Sequence, residues 1–99
     1  MKKFGELIRQ KREEKTLLLR HVAAQLDIDT AMLSKVERGE RNAKREHVLM
    51  LSEILDIDVK ELLTMWFAER IYDIIKDEDN PDAILKVAEQ SVTYLKNKK

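Results

Sequence analysis

An all-α fold is what this sequence predicts, and three observations carry the expectation. Only two glycines and one proline punctuate 99 residues. Apolar residues recur every three or four positions, and no stretch shows the β-branched alternation of a half-buried strand. Start and stop residues stand at the ends of the periodic stretches. Phe4, Leu7, Ile8 and Lys11 share helical spacing and predict a first helix over about 4–14. A second covers about 19–26, and Asp27-Ile28 makes a turn. Asp29 is placed to cap a third helix through its side-chain oxygen. That helix spans about 30–38, with Leu33 and Val36 inward and Thr30, Ala31, Ser34, Lys35 and Arg38 outward. Gly39 stops it as a left-handed residue would. The polar stretch 40–44 reads as a loop. A fourth helix, about 45–55, carries Val48, Leu51, Ser52 and Leu55 on one face. Asp58 followed by Glu61 resembles a capping box and opens a fifth helix over about 59–76. Asn80-Pro81, as N-cap and first helical residue, opens a sixth that runs to about Leu95. No internal repeat is expected.

Ninety-nine residues make one small domain with room for an appended segment. Such a chain buries only about two-thirds of its unfolded surface, so association with a second copy would help it. The absence of cysteine removes disulfides and thiolate metal sites. No apolar run approaches the roughly 20 residues of a membrane span, and the start has no uninterrupted apolar segment of a secretory leader. The expected location is therefore cytoplasmic. Net charge is zero but unevenly spread. Residues 1–48 carry 12 Lys and Arg against 8 Asp and Glu, while residues 49–99 carry 7 against 11. The first half is locally basic, a sign in favour of nucleic acid.

Five pieces in order and spacing then point to a known family: Ile8-Arg-Gln-Lys-Arg12, Val22-Ala23, Leu26-Asp-Ile28, Leu33-Ser-Lys-Val-Glu-Arg-Gly39 and Leu51-Ser-Glu-Ile-Leu55-Asp-Ile57. Over about Phe4 to Leu63 the chain resembles the lambda-repressor and Cro type of helix-turn-helix regulator, also called the Xre family. The resemblance implies a five-helix lambda-repressor-like DNA-binding domain over 1–63. Residues 64–99, an extended fifth helix and an added sixth, would form a C-terminal helical dimerisation extension. It implies a structural ion pair between Arg12 and Glu37 beneath the reading helix. It also implies double-stranded DNA as partner, with the third helix in the major groove. Thr30, Ala31, Met32, Ser34 and Lys35 then fall at or beside base-reading positions. Arg38, Arg41, Asn42, Lys44 and Arg45 fall where the family grips phosphate. Three positions depart from the family pattern. Leu19 stands where a polar phosphate clamp is usual, Asp27 where Gly is often found, and Ala43 where Pro is often found.

The C-terminal third carries more apolar surface than one small core accommodates. Trp66 and Phe67 are adjacent, so they point about 100° apart on a helix. Ile71 and Ile74 extend the fifth helix's apolar surface, and Ile84, Leu85, Ala88, Val92 and Leu95 share a face of the sixth. The sixth helix either folds back on the fifth or packs against a second copy. A homodimer combining both is the favoured reading, with Trp66, Phe67, Ile71, Ile74, Ile84, Ala88, Val92 and Leu95 at its interface. A monomeric extra hairpin is the rival. The expected function is a sequence-specific transcriptional regulator on a palindromic operator. The alternative is an antitoxin or protein-interaction module that uses the same scaffold, with a toxin or other protein as partner. No enzyme is expected, because His21 and His47 sit on separate helices without ligand spacing. No cofactor and no metal are expected; acidic residues 77–79 lack a calcium-loop pattern.

Overall fold

The computed structural model describes residues 3–98 and contains six helices. They are α1 (Lys3–Glu14), α2 (Leu19–Leu26), α3 (Thr30–Glu37), α4 (Arg45–Ile54), α5 (Val59–Ile75) and α6 (Pro81–Asn97). Among the described residues there is no strand. The fold is all-α: five helices make a body, and α6 is added to it.

The first four helices end in one and the same closure. The amides of Leu17, Ile28, Glu40 and Ile57 donate to the carbonyls of Arg12, Ala23, Lys35 and Ser52. In each case the preceding residue has a positive φ: Thr16 (53°), Asp27 (58°), Gly39 (75°) and Asp56 (57°). This is the Schellman closure, which satisfies the last carbonyls of a helix. Two of the four corners share a sequence. Leu26-Asp27-Ile28-Asp29 and Leu55-Asp56-Ile57-Asp58 each supply a buried Leu, a left-handed Asp, an Ile that closes the helix, and an Asp that caps the next. Asp29 accepts from the Met32 amide at 2.7 Å and Asp58 from the Glu61 amide at 3.0 Å. The expectation of no internal repeat therefore missed a short one. Asn80 differs from its expected role, because its side chain makes no cap hydrogen bond to α6.

Ile8, Val22, Leu33, Leu51, Leu55 and Leu62 are fully buried and form the centre of the body with Phe4, Ala23, Leu26, Val36 and Val48. Gly5 allows close approach of two helices. A Cβ on Gly5 would fall 2.5 Å from the Val36 carbonyl oxygen and 2.8 Å from the Glu37 carbonyl carbon. Helix α1 therefore rests directly on the backbone at the end of α3.

Trp66 is 5% exposed, and its indole Nε1 donates to the Ala43 carbonyl at 2.8 Å. Placing it at a dimer interface was thus mistaken: it closes the body beneath the α3–α4 loop. Phe67 meets the Trp66 ring edge-on and stays 46% exposed, as the 100° offset requires. Further along α5, Glu69 accepts from the Phe4 amide at the start of α1. The expected division between 63 and 64 cuts through α5 ahead of these contacts, so the packed body extends past it.

Helix α6 does not fold back. It has no buried residue, and Ile84, Leu85, Val87, Val92, Tyr94 and Leu95 are all exposed. The radius of gyration is 15.7 Å, against about 13 Å for a compact chain of this length. The fold-back half of the expected C-terminal arrangement is therefore absent, because no described residue of α6 is buried against the protomer.

Candidate nucleic-acid interface

Helix α3 is eight residues long and divides by face. Leu33, Val36 and Glu37 are buried, whereas Thr30, Ala31 and Lys35 are exposed and Ser34 and Met32 half-buried. The N-terminal half is held by the Asp29 cap and the C-terminal half by the Gly39 closure. Both ends are thus hydrogen-bonded, and the outer face is presented by a short element closed at each end.

The expected ion pair is present. Arg12 Nε donates to Glu37 Oε2 at 2.8 Å and Nη2 to Oε1 at 3.1 Å, a two-pronged contact. Arg12 Nη1 also donates to the Leu17 carbonyl at 2.9 Å. The side chains are 13% and 5% exposed. The hydrogen bond from Glu37 raises the Arg12 pKa above its ordinary value, with burial opposing it. The pair ties α1, the turn after it and the end of α3 into one unit, and the fork geometry suits Arg rather than Lys.

Met32 lines a shallow depression with Lys44 and His47 at the start of α4, rather than standing clear beside Thr30. Lys35 is exposed and has no ion-pair partner among the described residues. Arg38, Arg41, Asn42, Lys44 and Arg45 follow as an exposed polar run from the end of α3 to the first turn of α4. Arg38 is already engaged: it pairs with Glu40 and donates to Ser34. Sequence reasoning passed over Glu40, although an acid two residues after Arg38, just across the Gly39 stop, is a visible signal. At the start of α2, Leu18 occupies the cap position, makes no side-chain cap bond and is 48% exposed. Leu19 packs partly against the core. Neither Leu18 nor Leu19 offers a polar group at the position of the usual clamp.

A family model described as Helix-turn-helix matches residues 8–62, more than half of the chain. The chain belongs to the Xre, or lambda-repressor-like, helix-turn-helix family. No curated protein and no solved structure matches it. The helix-turn-helix unit of this Xre-family chain is α2, the Asp27-Ile28 turn and α3. The matched stretch begins and ends on the buried Ile8 and Leu62. Membership makes it a DNA-binding protein of transcription regulation. No described helix of this helix-turn-helix protein is long and apolar enough to cross a membrane.

Proposed function

We propose that this Xre-family protein is a sequence-specific transcriptional regulator that binds a palindromic operator as a homodimer. One observation carries the reading: α3 is anchored on both ends and on its inner face, while Thr30, Ala31 and Lys35 remain exposed on the outer one. In this reading Thr30 and Ala31 offer methyl groups to thymine, and Lys35 reaches a guanine edge. Ser34 lies on the same face, and Met32 flanks it. Arg41, Asn42, Lys44 and Arg45 hold the phosphate backbone, which fixes register and makes binding salt-dependent. A single module of this type buries only about 600–1,000 Å² of protein surface. Two linked modules reading half-sites about 34 Å apart gain through effective concentration. The bare apolar face of α6 supports a second copy as partner. The same face also suits a protein partner such as a toxin, the reading in which DNA binding serves autoregulation.

The test is selection from randomised duplex DNA, followed by affinity measurements on the selected site and its single-base variants. Lys35→Ala is expected to relax preference at one position, and Arg41→Ala to weaken all sites alike with a shallower salt dependence. Uniform losses for both variants would remove Lys35 from base reading. Absence of any selected sequence would favour the protein-interaction reading.

A further inference from the structure

Thr30, Ser34 and Arg38 stand four residues apart and form one stripe along α3. At the end of this stripe the Arg38 side chain is held. Its Nη1 donates to Ser34 Oγ at 2.7 Å, its Nε to Glu40 Oε2 at 2.7 Å, and its Nη2 to Glu40 Oε1 at 3.4 Å. The carboxylate takes one whole edge of the guanidinium, and the serine hydroxyl sits on the reading face. Glu40 is itself held by its backbone: its amide donates to the Lys35 carbonyl at 2.9 Å, in the closure that Gly39 permits with a φ of 75°. Arg38 is thus bent back along α3, not extended into the loop.

This is poor design for a phosphate clamp. A phosphate accepts any nearby cation, and a carboxylate beside it repels it. A base edge makes the opposite demand, because it needs donors in a fixed direction. Of the five N–H donors of an arginine, the three contacts occupy three. One on Nη1 and one on Nη2 remain. Guanine presents O6 and N7 side by side in the major groove, and arginine is the side chain that most often meets them.

We infer that Arg38 reads a guanine of the operator, and that Glu40 is the positioning residue that fixes its guanidinium on the reading stripe. The inference rests on α3 entering the major groove. The pair is about half exposed, so it adds little to folding stability. Its effect is on recognition: the orientation of Arg38 is set before DNA arrives, and the carboxylate penalises contacts with phosphate alone. That combination raises discrimination more than affinity.

The experiment compares the wild type, Arg38→Lys and Glu40→Gln on the selected operator and its single-base variants, over a series of salt concentrations. The wild type is expected to prefer one G·C pair in each half-site by about 5- to 150-fold, the range of a bidentate contact. Arg38→Lys keeps the charge and loses the fork, so it flattens that one preference and leaves the salt slope unchanged. Glu40→Gln lowers the same preference and raises affinity for random duplex. Thermal melts close to wild type are expected for both, since neither side chain is in the core. Arg38→Lys with every base preference intact would overturn the reading role of Arg38. Glu40→Gln changing all sites by one factor would overturn the positioning role. A wild type that selects no sequence would overturn the groove reading of α3 and this inference with it, whereas a selective wild type with an unchanged Arg38→Lys overturns this inference alone.

Discussion

At Gly5 the absence of a side chain sets how closely α1 approaches α3. The atoms a Cβ would meet are backbone carbonyls of Val36 and Glu37, which cannot rotate away. Gly5→Ala is therefore expected to cost about 1–3 kcal/mol through overpacking, seen as a lower denaturant midpoint with unchanged slope. A midpoint equal to wild type would mean that α1 does not rest on α3 there. The same end of α3 holds Glu37, and its only described side-chain partners are the prongs of Arg12. Arg12→Ala leaves a buried carboxylate unpaired, which costs about 3–5 kcal/mol. Against a total of about 5–15 kcal/mol for a small domain, that brings the protein close to unfolding. Arg12→Lys restores charge without the fork, so its melting temperature is expected between those of Arg12→Ala and wild type. A full recovery with Lys would show that charge alone, not the two-pronged geometry, holds α3.

Helix ends are where this chain departs from the residues best suited to its own backbone. Thr16 closes α1 with a φ of 53°, a conformation that costs a residue with a Cβ about 1–2 kcal/mol. Glycine would remove that cost but loses about 0.5–1 kcal/mol through its freer unfolded state. Thr16→Gly is thus expected to stabilise by about 0.5–1 kcal/mol, a rise of roughly 2–8 °C in melting temperature at this size. A fall would show that the Thr16 hydroxyl, which donates to the Lys15 carbonyl, matters more than the strain. Helix ends also mark what could be read from sequence. Asp29, Gly39 and Asp58 are visible as caps and stops because their chemistry is local, and the observed bounds of α2, α3 and α4 lie within a residue of the expected ones. The Arg12–Glu37 pair was visible only through the family resemblance, since 25 residues separate its members. Trp66 could not be assigned, because helical periodicity gives the angle between Trp66 and Phe67 but not which of them meets the Ala43 carbonyl. The Arg38–Glu40 contact escaped for a related reason: a charged loop reads as solvated surface until the Gly39 closure turns Glu40 back toward α3.

The molecule as a whole is longer than its packed body requires, with extents of 43 × 33 × 22 Å. Helix α6 accounts for apolar surface that the body does not cover. Leu85, Ala88, Val92 and Leu95 recur at alternating three- and four-residue steps, the seam spacing of helices that pack side by side. On α5, Phe67, Ile71 and Ile74 remain exposed, the last by 75%. A 17-residue helix with no buried residue is marginal in water, since nucleation is costly and packing supplies most helical stability. A second copy that covers the α6 seam would therefore stabilise the helix and join two reading modules at once. Val92→Glu places a charge in the middle of that seam and touches no residue of the body core. The wild type is expected to sediment as a dimer at micromolar concentration and the variant as a monomer. The variant should also lose helical circular dichroism in proportion to α6 and keep the melting transition of the body. Operator affinity is expected to fall by about 10²-fold or more, because the second half-site no longer binds at high effective concentration. A variant that stays dimeric would place the interface elsewhere. A wild type that is monomeric at these concentrations, yet keeps α6 helical, would remove the second copy as the occupant of this face.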